Sequence, residues 1–193
     1  GGFAAIDLTG YYKEVRDYTM MSNRVGSFVD DAEFSWSQYM NGDYGVIKGM
    51  YCLEDKTKSK NIKVQLLGSG PMLNEVYKAA EILKNDWDID STIWSVTSYS
   101  ELHKEAEDVR RWNILHPDSK PKKSFLEEMI SPDNGPVIAI SDYVKLVAEQ
   151  IAPYIRCPFV ALGTDGFGRS DTRKNLRDFF EVNKYYIILY ALD

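Results

Sequence analysis

Cysteine and histidine are both scarce: the 193 residues hold two of each. Two cysteines cannot build a disulfide scaffold, and His103 and His116 belong to no cluster of zinc-ligand spacing. Cys52 and Cys157 each sit in an apolar setting (Met50 to Leu53, Ile155 to Phe159), which fits buried packing roles in a reducing, cytoplasmic compartment. Long apolar runs are missing too, none approaching the roughly 18 residues of a transmembrane helix. No basic start with an apolar core marks a signal peptide. There are no repeats and no low-complexity tract. Positive charge is in the minority, and the net charge of -6 argues against a broad nucleic-acid surface. Proline is absent from residues 1–44, and no apolar period is visible there. Nine aromatics, from Phe3 to Tyr44, are nevertheless too many for an ordinary disordered tail. Partial order is expected, with a helix near Tyr11 to Met21 packed on the main domain. The chain opens with Gly1-Gly2 rather than Met, as a processed or cloned fragment would.

What is present reads as a globular protein, 44 % hydrophobic and 27 % charged, of a size for one domain with an appendage. From about Gly45, short apolar runs alternate with amphipathic segments, the pattern of an α/β sheet with crossover helices. Strands are expected at Val46 to Leu53, Ile62 to Leu67, Thr92 to Val96, Pro136 to Ile140 and Phe159 to Leu162. Between the second and third, Leu73, Val76, Tyr77, Ala80 and Leu83 mark the buried face of a helix, with Glu75, Lys78, Glu81 and Lys84 opposite. Helices are also expected at Glu101 to Arg111 and Ser124 to Ile130, flanking an exposed loop at Pro117 to Lys123. Ser141 or Asp142 is the expected cap of a helix turning Tyr143, Leu146, Val147 and Ile151 inward. Ser170 or Asp171 should cap another, carrying Leu176, Phe179 and Phe180. The apolar run Tyr185 to Leu192 is ambiguous in period, and propensity favours strand.

Chemistry-bearing motifs are few. Gly68-Ser69-Gly70 lies between a strand and a helix, where phosphate can bind. Leu73 stands where a dinucleotide fingerprint needs its third glycine, so a tight turn is the better reading. A second glycine loop, Leu162 to Asp171, packs three glycines and Phe167 into ten residues. It is either an anion cradle or a shaped loop at a domain contact. It contains no lysine and does contain Asp165, which weakens the cradle, while Arg169 keeps it open. His103 reads as part of a solvated helix face and His116 as a structural turn residue. G-x-S-x-G is absent, and neither Glu127-Glu128 nor Asp86 with Asp88 identifies an acid–base pair.

Three segments together resemble one enzyme family. They are Lys48 to Tyr51 with Val64 to Gly70; Ser95 to Ser98 with Glu101-Leu102 and Arg111 to Pro117; and Ser141 to Gln150 with Leu162 to Asp171 and Asn175 to Arg177. Over residues 45–192 their order and spacing are similar to the C-terminal domain of the homodimeric bacterial decarboxylating component of pyruvate dehydrogenase complexes, in the transketolase superfamily. The resemblance implies a three-layer α/β/α domain at 45–193. Its five-strand mixed sheet would have the first strand antiparallel, and the Tyr185 to Leu192 run would be helical. Residues 1–44 do not resemble what precedes this domain in the family, and no origin is assigned to them.

The resemblance also implies where chemistry is not. In that family thiamine diphosphate and magnesium lie between the two preceding domains, whose motifs do not occur here. No catalytic, cofactor-binding or metal residue is therefore assigned, and the chain alone should be inactive. Gly163, Thr164, Asp165, Gly166, Phe167, Gly168 and Arg169 become a domain-contact loop. The expected partners are the remaining domains of the same subunit, a second copy in a homodimer and the lipoyl acetyltransferase component, with neither nucleic acid nor membrane. The family continues several turns beyond the position of Asp193, so the chain is either a fragment or a diverged small protein. The alternative function is a stand-alone interaction or regulatory module of the same fold.

Overall fold

A computed structural model describes residues 45–56 and 60–193, so the helix expected at 11–21 lies outside the described residues. The first strand begins later than its composition suggests. Residues 45–48 are helical, closed by Gly49 N donating to Gly45 O at 2.9 Å. Only then does β1 (Met50–Glu54) extend. The other strands are β2 (Lys63–Gly68), β3 (Asp90–Val96), β4 (Val137–Ile140) and β5 (Phe159–Leu162). Their order is β1-β3-β2-β4-β5, with β1 antiparallel to β3 and every other pairing parallel.

Side chains alternate across the sheet, as a strand's period of two demands. Val64, Leu66, Ile138 and Ile140 point to one face, Leu67, Val137 and Ala139 to the other. The first face is covered by α1 (Leu73–Trp87) through Val76, Ala79 and Leu83, and by α6 (Lys184–Leu192) through Ile187 and Ile188. The second is covered by α2 (Tyr99–Leu115), α3 (Phe125–Met129) and α4 (Lys145–Glu149), which contribute Leu102, Ala106, Phe125, Leu126 and Ala148. The result is the three-layer mixed-sheet domain the resemblance implied.

Several local expectations give way to tertiary context. The run Tyr185 to Leu192 is helix rather than strand. Asn183 Oδ1 accepts from Tyr185 N at 2.9 Å, and two adjacent isoleucines pack under α1. The helix expected at Glu101 to Arg111 is longer, because Ser98 Oγ caps it by accepting from Glu101 N at 3.2 Å. Neither Ser141 nor Asp142 caps α4. Ser141 Oγ instead accepts from Tyr143 N at 3.0 Å, and α4 starts after Val144. Tyr143 and Leu146, expected inside, are exposed, while Ala148 and Ile151 carry the burial. The helix α5 (Arg173–Phe179) is capped by Thr172, not by Ser170 or Asp171, its Oγ1 accepting from Asn175 N at 3.3 Å. The exposed loop at 117–123 and the brief helix after it are as expected, the latter held by a capping box of Ser124 and Glu127. Cys52 is exposed rather than buried, Cys157 is half-buried, and both are free thiols.

Candidate functional site

The glycine loop leaves β5 at the carboxyl edge of the sheet, where ligands and partners of open α/β domains gather. Leu162 is buried, and its carbonyl accepts from Ser141 N at 3.0 Å, tying the ends of β4 and β5. Gly163 then passes so close to the chain after β4 that a Cβ would meet Tyr143 O at 2.5 Å and Lys145 N at 2.7 Å. Only glycine fits there. Thr164 continues the seam, donating from N to Tyr143 O at 2.8 Å and from Oγ1 to Asp142 O at 2.9 Å. Asp165 Oδ1 accepts from Lys145 N at 2.9 Å, at the first residue of α4. The cap that local sequence assigned to Ser141 or Asp142 thus comes from twenty residues away.

Beyond Asp165 the loop changes character. Gly166 takes a φ of 94°, where side chains are strained, and neither it nor Gly168 has an atom within 4 Å of a would-be Cβ. Phe167 between them is 95 % exposed. Arg169, the cation that kept an anion cradle open, lies with Cζ 3.9 Å from the centre of the Phe179 ring. Asp171 accepts from Thr172 N at 2.6 Å and from Asn175 Nδ2 at 2.8 Å. These bonds hold its carboxyl below the ordinary value, the Thr172 N–H contributing most. Arg169, Ser170 and Asp171 join Asn175, Leu176 and Phe179 around an open hollow of about 340 Å³.

The other candidates resolve into structural roles. At Gly68-Ser69-Gly70, Ser69 N donates to Ile140 O and Met72 N to Ser69 O, both at 3.2 Å, while Pro71 has no N–H to offer. Those engaged donors cannot cradle phosphate, and the motif is a tight turn into α1. His103 is not on a solvated face. It is half-buried, its Nδ1 donating to Gln150 O at 3.0 Å, and so pins α2 to the segment after α4. His116 caps the end of α2, donating from Nδ1 to Trp112 O at 2.8 Å and stacking on the Trp112 ring. Glu127 pairs with Arg156 at 2.5 Å and Asp88 with Lys84 at 2.6 Å. The Tyr154 hydroxyl donates to Glu107. Burial first, and that carboxylate second, push the tyrosine up to about 12.

Glu75 is the residue that helical periodicity misplaced. Expected on the solvent side of α1, it is buried. Arg177 Nη1 meets its Oε1 at 2.9 Å, Lys78 Nζ approaches at 3.3 Å, and Lys184 N donates to Oε2 at 3.1 Å. One carboxylate therefore joins α1 to α5 and to the start of α6. The signal lay in Arg177, the last residue of the third resembling segment.

Among the described residues no group of three or more His, Cys, Asp or Glu is placed to hold a metal ion. No described helix is long and apolar enough to cross a membrane.

Residues 49–183 match the model of the transketolase-like TK C-terminal domain. The chain belongs to this family. Among curated relatives, the pyruvate dehydrogenase E1 component of Pseudomonas aeruginosa is 52 % identical over 150 residues, covering 77 % of this chain and 17 % of that protein. Its namesakes from Cupriavidus necator and Escherichia coli K12 are 48 % identical over 148 residues and 46 % identical over 149. Those matches cover 76 % and 77 % of this chain and 16 % of each relative. The chain thus spans about a sixth of the relatives it matches, 17 % of the first. Among solved structures, transketolase from Campylobacter jejuni superposes with a TM-score of 0.52 at 18 % identity, over 76 % of this chain and 19 % of that one. That likeness speaks to the fold alone. In this transketolase-like C-terminal domain the glycine loop lies at the sheet's carboxyl edge, beside the segment after β4.

Proposed function

We propose that this chain supplies the C-terminal, non-catalytic domain of a thiamine-dependent pyruvate dehydrogenase component. The observation that carries the reading is 52 % identity to such a component, confined to 17 % of its length. The whole subunit would decarboxylate pyruvate and pass the acetyl group to a lipoyl arm of an acetyltransferase, in the cytoplasm and as a homodimer. Thiamine diphosphate and magnesium would be held by the remaining domains. Here Gly163, Thr164, Asp165, Gly166, Phe167, Gly168 and Arg169 serve as the loop facing the neighbouring domain. Such a domain has no need of activated side chains, and the engaged histidines and carboxylates described above accord with that.

Two measurements test the reading. Calorimetric titration of the chain with thiamine diphosphate and Mg²⁺ should give no binding heat, and tight binding would overturn the non-catalytic assignment. Residues 45–193 should also replace the matching stretch of the Pseudomonas aeruginosa component and leave a subunit that turns over pyruvate. A folded but inactive chimera would count against the reading.

A further inference from the structure

The tip of the glycine loop projects from the molecule. Phe167, 95 % exposed between two glycines with open space around them, has no walls beside it. Small molecules are held in concave, enclosing sites, so this one does not suit them. The neighbouring segment, bound to the loop through Thr164 and Asp165, presents Tyr143, Val144 and Leu146 at 64, 45 and 70 % exposure. Two stretches fixed to each other by main-chain hydrogen bonds thus carry four large apolar side chains outward at one edge of the sheet. Single exposed apolar residues are ordinary, but a group of them on one rigid base marks a protein contact. Aromatic anchors dominate such contacts, and a base already ordered has little entropy left to lose on docking.

We infer that Phe167, with Tyr143, Val144 and Leu146, is the anchor seating this domain in an apolar hollow on the remainder of an E1-length subunit. The inference rests on the functional reading above. The occupant follows from length: the matched stretch is 17 % of the Pseudomonas aeruginosa relative, so most of such a subunit lies outside it. A projecting aromatic on an ordered base calls for a concave counterpart. The role of the three loop glycines then divides, with Gly163 fixing the base while Gly166 and Gly168 hold Phe167 clear of its own domain.

Thiol footprinting decides it. In a Cys52→Ser background, Phe167→Cys and Leu146→Cys are placed in the 193-residue chain and in the full-length chimera carrying residues 45–193. Leu146→Cys leaves Phe167 itself intact. Maleimide should label both positions rapidly in the chain and about tenfold or more slowly in the chimera, as the dry core of an interface requires. Ile114→Cys, 66 % exposed at the end of α2, should label equally fast in both. Equal labelling of positions 146 and 167 in chain and chimera overturns the inference, while pyruvate turnover by that chimera would leave the functional reading standing. Labelling of the isolated chain that slows as its concentration rises also overturns it, by making a second copy the occupant.

Discussion

The two halves of the loop after β5 use glycine for opposite purposes. From Leu162 to Asp165 the chain is crowded. Gly163 has backbone atoms at 2.5 and 2.7 Å from where a Cβ would stand, and the next two residues spend their hydrogen bonds on the segment after β4. From Gly166 to Gly168 there is open space on every side and an aromatic ring in solvent. The first half is an internal joint of the fold, the second a surface feature. Glycine content alone does not separate them, since both halves carry it.

Substitutions should pull the halves apart. Gly163→Val has the largest expected effect. Backbone must move to admit the side chain, costing about 3 kcal/mol, read as a lower urea midpoint at unchanged slope. A midpoint within error of the parent would mean the crowding is not real. Gly166→Val comes next, at about 1 to 2 kcal/mol, because it meets no atom and suffers only the strain of a branched side chain at positive φ. If it cost as much as the Gly163 variant, the division of the loop would be wrong. Asp165→Ala removes the cap on α4 and should cost about 1 kcal/mol. Its 4.0 Å approach to Lys145 Nζ, between exposed groups, adds almost nothing. Asp165→Asn, which keeps an acceptor, should recover most of the loss. Phe167→Ala and Gly168→Ala should leave the melting temperature of the isolated chain nearly unchanged, within about 0.5 kcal/mol.

The smallest effect concerns acid. The Asp171 carboxyl is held below its ordinary 3.8 by the Thr172 N–H and then by Asn175. A depressed carboxylate stabilises the fold above its ordinary value and loses that contribution as pH falls through the folded-state value. Asp171→Asn should therefore be slightly less stable than the parent at neutral pH and converge with it in acid. The group is exposed, so the gap is small, and a gap that widened below pH 3.8 would have the wrong sign.

The sheet was legible because burial on both faces writes itself as short branched runs, and β2, β4 and β5 lie within a residue of where those runs fall. The loop was legible for the same reason: a buried strand must end before a cluster of glycines. What could not be read was any cap or pairing supplied from a distance. Asp165 and Lys145 are twenty residues apart, and no local rule lets the first cap the second's helix. Glu75 looked solvated because a helical wheel sorts residues by polarity and knows nothing of Arg177. The terminal helix was misread by propensity because tyrosine and isoleucine favour strands until Asn183 and the surface of α1 decide otherwise. The resemblance corrected that element, since it carried tertiary context the local sequence lacks.

The clamp on Glu75 bears on the order in which the domain can be made. Its carboxylate waits for a guanidinium 102 residues further on and an amide 109 residues further on. Until the ribosome has released that last stretch, α1 can close over the sheet only with Lys78 alone answering the buried carboxylate. Strands β2 to β5 can pair early, but the face under α1 stays exposed to whatever binds nascent apolar surface. Synthesis from the amino end thus leaves this face to be sealed last.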